Sequence, residues 1–98
     1  MKQLVHLSIK GIVQGVGYRA FVELEAETRG LEGWVRNRRD GSVEAVVFGQ
    51  KGDVDRLIEA CREGPPASRI ISVDVSNADP GLLNLRPAGE KFAALPTV

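Results

Sequence analysis

The sequence predicts an α+β fold, a two-layer sandwich in which an antiparallel sheet of four to five strands carries two helices on one face. Segments with alternating apolar residues predict the strands, and two segments with apolar residues at helical spacing predict the helices. Their order along the chain is βαββαβ, the order of a ferredoxin-like sandwich. Hydrophobic side chains make up 43% of the 98 residues, enough for one core, so we expect residues 1–98 to form a single domain.

The first strand and the first helix are predicted on either side of a glycine-punctuated turn at residues 14–17. Residues 4–13 alternate, and the apolar face of this strand comprises Val5, Leu7, Ile9 and Val13. Residues 18–29 have helical spacing, with an apolar face made of Phe21, Leu24 and Thr28 with Val22 and Ala26 beside them. Gly30 follows at the position just past a helix end, where a positive φ is common.

A hairpin and a second helix are predicted next. Residues 31–37 and 42–49 are strand-like and flank the turn Asp40-Gly41, a typical hairpin signal. Asp53 is predicted to cap the second helix, whose apolar stripe is Val54, Leu57, Ile58 and Cys61. The sequence Gly64-Pro65-Pro66 predicts its end.

The last third of the chain is predicted to add a fourth strand, a loop and a short edge strand. Ile71, Val73 and Val75 alternate with polar residues, which indicates one buried face. Residues 77–89 read as a loop. Residues 91–95 are apolar and precede Pro96, which is tolerated at a sheet edge.

Composition excludes several classes of function. Thirteen basic and thirteen acidic residues give a net charge of zero, so we expect no nucleic-acid and no membrane partner. The single Cys61 cannot form an internal disulfide, nor complete a four-ligand zinc site with His6, so we expect no metal and no cofactor. The first residues lack the apolar block of a signal peptide, which predicts a cytoplasmic protein, and we expect a monomer.

The most informative segment lies between the first strand and the first helix, and it contains six candidate phosphate-binding residues: Gln14, Gly15, Val16, Gly17, Tyr18 and Arg19. N–H groups of a glycine turn followed by a helix start can converge on an anion. A guanidinium at the edge of this turn can bind two phosphate oxygens. The alternative is that the glycines only permit a tight turn.

These residues carry a resemblance: GIVQGVGYR at residues 11–19 resembles the acylphosphatase signature. Residues 30–37, with Gly33-Trp34-Val35 followed by Asn37, are similar to the family's Gly-Trp-Val-x-Asn motif. Residues 40–44 are similar to the hairpin that follows it, and residues 61–66 also resemble the family. The resemblance covers residues 5 to about 75 and weakens beyond them.

The resemblance implies an enzyme that hydrolyses the carboxyl–phosphate bond of acyl phosphates and releases inorganic phosphate. It makes Arg19 and Asn37 the catalytic residues: the glycine loop and Arg19 hold the phosphate, and Asn37 positions water. The chemistry needs no general acid, because the leaving carboxylate has a conjugate-acid pKa of roughly 4 to 5. Taken without the resemblance, Asn37 is more simply a turn residue beside the hairpin.

Other interpretations remain beside this one. A non-catalytic module that binds phosphate or carbamoyl phosphate would need the same loop. An RNA recognition motif shares the element order, but the predicted sheet offers only Phe48 for stacking bases. A nucleotide-binding P-loop is excluded because the loop lacks Gly-Lys-Ser/Thr. Several further residues are expected to have no catalytic role: His6, Trp34, Tyr18 and Cys61 as packing or surface residues, and Arg38 and Arg39 as solvated charges.

Overall fold

The computed structural model describes all 98 residues, which form one five-stranded sheet and two α-helices. The elements are β1 (Lys2–Ile12), α1 (Tyr18–Thr28), β2 (Glu32–Asn37), β3 (Val43–Gln50), α2 (Lys51–Glu63), β4 (Arg69–Asn77) and β5 (Phe92–Ala94). The strand order is β4-β1-β3-β2-β5. The predicted ferredoxin-like sandwich and the short fifth strand are therefore confirmed. The expectation of a wholly antiparallel sheet is wrong in one respect, because β5 pairs with β2 in parallel.

The main core lies between one face of the sheet and the two helices. Val5, Leu7 and Ile9 of β1 stand opposite Val47, Ala45 and Val43 of β3, and all six are buried. The helices cover them with the buried residues Val22, Ala26, Val54, Leu57 and Cys61. The predicted apolar stripe of α2 is confirmed, although the helix begins at Lys51, before the predicted cap Asp53.

The opposite face of the sheet carries a smaller core around Trp34, which is fully buried. Residues 80–85 form a 3₁₀-helix there, so the expectation of a plain loop over residues 77–89 is wrong at this point. Asp79 accepts a hydrogen bond from the Gly81 N–H at 3.0 Å and caps the turn. Trp34 donates its indole N–H to the Leu82 carbonyl at 2.8 Å, which fastens this segment to the sheet.

Two predicted faces are placed differently in the structure. Leu24 of α1 is 67% exposed, and the helix packs through Tyr18, Val22 and Ala26 instead. Ile71 of β4 is 82% exposed, because the register between β1 and β4 shifts at Lys10/Gly11 and leaves Ile71 without a partner. A bulge of this kind turns the following side chains to the other face. No helix in the structure has both the length and the apolarity that crossing a bilayer requires.

Candidate active site

The loop between β1 and α1 has the backbone shape of an anion-binding turn. Gly15 and Gly17 have φ angles of 74° and 80°, and no non-glycine residue in the chain has a positive φ. A Cβ added at either glycine would meet no atom within 4 Å, so the conformation, and not the available space, requires glycine here. Left-handed residues that alternate with others turn successive N–H groups toward a common side.

The N–H groups of residues 13–20 donate to no acceptor within the chain. The first intrahelical bond of α1 runs from the Phe21 N–H to the Gly17 carbonyl at 3.0 Å, and no side chain caps the helix. A run of unsatisfied donors at a helix start, with the positive end of the helix dipole behind it, favours an anion. The main chain alone therefore provides a cradle that suits an anion, and residues 13–20 are called the cradle below.

Arg19 stands in the first turn of α1, beside these donors. Its guanidinium makes no hydrogen bond and no ion pair within the chain, as is also true of Arg39 and Arg69. The other arginines are paired with carboxylates: Arg29, Arg36, Arg38, Arg56, Arg62 and Arg86. Arg19 lines a cleft of about 190 Å³ together with residues of the loop. A guanidinium without a partner at such a cleft can bind an anion and breaks no existing ion pair in doing so.

Asn37 faces the same cleft from the end of β2. Its side-chain oxygen Oδ1 is buried and has no hydrogen-bond partner. The backbone around it is well held: Asn37 pairs with Val43 of β3, and its carbonyl accepts from the Val98 N–H at 3.2 Å. The structure therefore brings Arg19 and Asn37 to one cleft and leaves the buried Oδ1 of Asn37 without a hydrogen-bond partner.

The other predicted phosphate-binding residues send their side chains away from the cradle. The Gln14 carboxamide donates to the carbonyls of Arg38 and Ser42 at 2.7 and 2.8 Å. Val16 packs against the main core, and the buried Tyr18 hydroxyl donates to the Cys61 carbonyl at 2.7 Å. Gly15 and Gly17 have no side chain. Any contact of these five residues with phosphate must therefore come through their backbone N–H groups.

Sequence reasoning missed the part played by Glu44, which lies on the sheet face opposite the cleft. It accepts hydrogen bonds from Arg36 Nε at 2.7 Å, Arg38 Nη1 at 3.1 Å and His6 Nε2 at 2.7 Å. Burial alone would raise the pKa of Glu44, but these three hydrogen bonds outweigh it and lower that pKa. Arg38 is thus an ion-paired residue and not a freely solvated one. The alternation of apolar and polar residues in β1 and β3 was the available signal in the sequence. It does not say which residues of the neighbouring strands lie opposite Glu44.

A larger groove of about 470 Å³ runs between α1 and α2, and its chemistry differs from that of the cleft. Ala60 is its only apolar lining residue. Its charges are largely matched within each helix, by Arg29 with Glu25 and by Arg56 with Asp53. No group of three or more His, Cys, Asp or Glu side chains is placed to hold a metal ion anywhere in the chain.

Residues 5–82 match the family model described as Acylphosphatase. The chain belongs to the acylphosphatase family. A relative named Acylphosphatase from Bradyrhizobium diazoefficiens is 56% identical over 97 residues, which is 99% of this chain and 98% of that protein. The matched residues include both the glycine loop and Asn37, which line the cleft.

Solved structures with the same fold as this chain include an acylphosphatase. The crystal structure of acylphosphatase from Bacillus subtilis superimposes with a TM-score of 0.81 at 33% identity, covering 97% of this chain and 99% of that one. A full-length HypF structure in the phosphate- and nucleotide-bound form superimposes with a TM-score of 0.81 at 29% identity. It covers 99% of this chain but only 12% of HypF, so the same unit also occurs as part of a much larger protein.

Proposed function

We propose that this protein is an acylphosphatase that hydrolyses the carboxyl–phosphate bond of a small-molecule acyl phosphate to a carboxylate and inorganic phosphate, without a metal ion. One observation carries the proposal. The loop whose N–H groups are unsatisfied, the unpaired Arg19 and Asn37 all line one cleft, and the buried Oδ1 of Asn37 has no hydrogen-bond partner.

In the proposed mechanism, the loop and Arg19 bind the phosphoryl group. Phosphoryl transfer spreads negative charge over the equatorial oxygens in a loose transition state. Fixed N–H donors and a guanidinium stabilise that charge without having to reorganise during the reaction. Residues 14–19 supply these donors, and the guanidinium is that of Arg19, which has the reach to bind two oxygens at once.

Asn37 holds the attacking water. Its carboxamide hydrogen-bonds to the water and keeps the water oxygen in line with the bond to be broken. The water oxygen bonds to phosphorus, the phosphorus–acyl oxygen bond breaks, and its electron pair leaves on the carboxylate. The proton lost by the water goes to a phosphate oxygen. The carboxylate leaves as an anion at neutral pH, so no general acid is needed.

A second candidate function is a non-catalytic module that binds phosphate or carbamoyl phosphate through the same loop. The likeness to part of HypF, in a form described as phosphate-bound, favours this candidate. The two candidate functions differ in what they require of Asn37. Binding needs only the loop and Arg19, whereas hydrolysis also needs a positioned water, so the presence of Asn37 in the lining of the same cleft favours the enzyme.

We further propose that the protein works as a monomer in the cytoplasm. The only cysteine, Cys61, is a buried free thiol, which suits a reducing compartment. Size-exclusion chromatography with light scattering would test the monomer, and a dimer mass would reject it.

The test of the function is hydrolysis of a chromophoric aryl acyl phosphate by purified protein in EDTA. A stable phosphomonoester serves as the substrate control and Asn37→Ala as the protein control. We expect rapid loss of the acyl phosphate alone, and its near absence in the variant. No turnover, together with stabilisation of the fold by inorganic phosphate, would reject the enzyme in favour of the binding module.

A further inference from the structure

We propose that Gln14 is a positioning residue that fixes Asn37 relative to the phosphate cradle. The inference rests on the proposed function and assigns to the Gln14 side chain a task other than phosphate binding. The carboxamide nitrogen of Gln14 has two N–H donors, and each has its own acceptor: the Arg38 carbonyl at 2.7 Å and the Ser42 carbonyl at 2.8 Å.

These two acceptors lie at the neck of the hairpin loop that follows β2. The Arg38 N–H donates to the Ser42 carbonyl at 2.9 Å, so Arg38 and Ser42 already face each other across the neck. Asn37 directly precedes Arg38 in the chain. A bond to the Arg38 carbonyl therefore restrains the peptide next to the one that carries the Asn37 side chain.

Gln14 is the only hydrogen-bonding link between the cradle and the hairpin. No other hydrogen bond joins residues 13–20 to residues 38–42. The remaining restraints on the hairpin come from elsewhere: Glu44 holds the Arg38 side chain, and the Asn37 carbonyl accepts from Val98. The first contact ties the hairpin to β3. The second, together with the Arg39 N–H that donates to the Val98 carbonyl at 2.7 Å, ties it to the C-terminal residue, and none of these contacts joins it to residues 13–20.

The reaction depends on that distance. The phosphate is held on one side of the cleft and the water on the other, so a shift of the hairpin moves the water off the line of attack. A misplacement of about 1 Å can cost about 100-fold in rate. Loss of the Gln14 link should therefore lower kcat and leave phosphate binding nearly intact, because the cradle donors and Arg19 remain.

The first test compares Gln14→Ala and Gln14→Met with the wild type. Methionine keeps the length of the side chain but has no N–H donor and no charge. We expect kcat to fall about 10- to 100-fold in both variants, while inhibition by inorganic phosphate changes less than about 3-fold. A large loss of phosphate inhibition with unchanged kcat would overturn the proposal, since Gln14 would then act on the phosphate itself.

The second test is a double-mutant cycle with Asn37→Ala. If Gln14 acts through Asn37, removing Gln14 from the Asn37→Ala protein costs little further kcat, so the two effects are non-additive. Independent, multiplying effects would overturn the proposal. Val54→Ala is the control for a merely structural loss, because it removes buried core packing of α2 away from the loop. It should lower the melting temperature and leave kcat within about 2-fold.

Amide hydrogen exchange tests the link without any turnover. The Arg38 and Gly41 N–H groups are bonded to carbonyls within the hairpin. They should exchange faster by about 10-fold or more in Gln14→Met, while the amides of α2 keep their rates. If the wild type hydrolyses nothing, the proposed function fails, and this measurement still decides the link: faster exchange supports it and unchanged exchange overturns it.

Discussion

Tyr18 donates its buried hydroxyl to the Cys61 carbonyl at 2.7 Å and so joins the first turn of α1 to the last turn of α2. The carbonyl needs this donor for a simple reason. In a continuing helix the Cys61 carbonyl would accept a hydrogen bond from the N–H of residue 65, but residue 65 is proline and has no N–H. Burial raises the pKa of Tyr18, so the hydroxyl stays protonated and able to donate.

Tyr18→Phe should lower the free energy of unfolding by about 1–3 kcal/mol, because it leaves a buried carbonyl without a donor. The Tyr18 hydroxyl lies away from the cleft, so we expect kcat and phosphate inhibition to stay within about 2-fold. Urea denaturation and steady-state kinetics measure the two quantities. A stability equal to that of the wild type would contradict the role given to this hydrogen bond.

Arg19→Ala should weaken inhibition by inorganic phosphate by about 10- to 100-fold and lower kcat as well, because a charge-assisted contact contributes about 1.5–3 kcal/mol. Arg19→Lys should recover part of the affinity, since a lysine acts only as a point charge. Arg56→Ala removes the same charge from exposed α2, and we expect no effect from it. If Arg19→Ala binds phosphate as the wild type does, Arg19 is not a phosphate ligand.

Asn37→Ala should lower kcat by about 2 to 4 orders of magnitude, because the attacking water loses the carboxamide that positions it. Phosphate inhibition should change little, since the cradle is untouched. Asn84→Ala, at an exposed position in the 3₁₀-helix, is the matched control. Steady-state kinetics gives kcat and the inhibition constant for phosphate. An unchanged kcat in Asn37→Ala would reject the role of Asn37 in positioning water.

Glu44→Gln should destabilise the protein by about 1–3 kcal/mol at pH 7, since hydrogen bonds to a charged acceptor become weaker ones. The lowered pKa of Glu44 sets the pH dependence: the stabilisation is complete above the ordinary value of 4.5 and is lost as the pH falls through the lower folded-state pKa. The difference between variant and wild type should therefore shrink in acid. Denaturation from pH 7 to pH 3 measures it, and a difference independent of pH would contradict the assignment.

Two glycine-to-alanine changes should have opposite effects on stability. Gly33 of β2 has a φ of 142°, and a Cβ there would overlap the Val46 carbonyl, so Gly33→Ala should destabilise by about 2–4 kcal/mol. Gly52 in α2 has room for a Cβ, so Gly52→Ala should stabilise by about 0.4–1 kcal/mol. Thermal denaturation of both proteins checks the signs. A Gly33→Ala protein as stable as the wild type would show that β2 can shift away from β3.

The sequence predicts most of the fold because most elements follow from local patterns. The apolar stripe of α2 and the alternation in β1 depend only on neighbours along the chain, and both are confirmed. The outward placement of Ile71 depends on the pairing of β4 with β1, where the register shifts. Such a bulge is a property of two strands together, so the alternation of one strand cannot reveal it.

The candidate site, like the fold, could be predicted from the sequence only in part. Arg19 and the glycine turn are visible in the sequence because they are contiguous, and Asn37 was found only through its resemblance to a family motif. The partners of Gln14 are main-chain carbonyls, which every residue has. No residue type marks a carbonyl as an acceptor, so only the folded chain shows where the Gln14 side chain goes.

The proposed phosphate cradle at residues 13–20 consists of backbone donors, and this affects how the site responds to mutation. Every amino acid except proline carries a main-chain N–H. Changes at Val16 or Ala20 therefore alter shape and packing but leave the donors in place. What must be kept is the path of the loop, which the left-handed Gly15 and Gly17 set, so substitutions can accumulate at Val16 and Ala20 while these two glycines stay fixed.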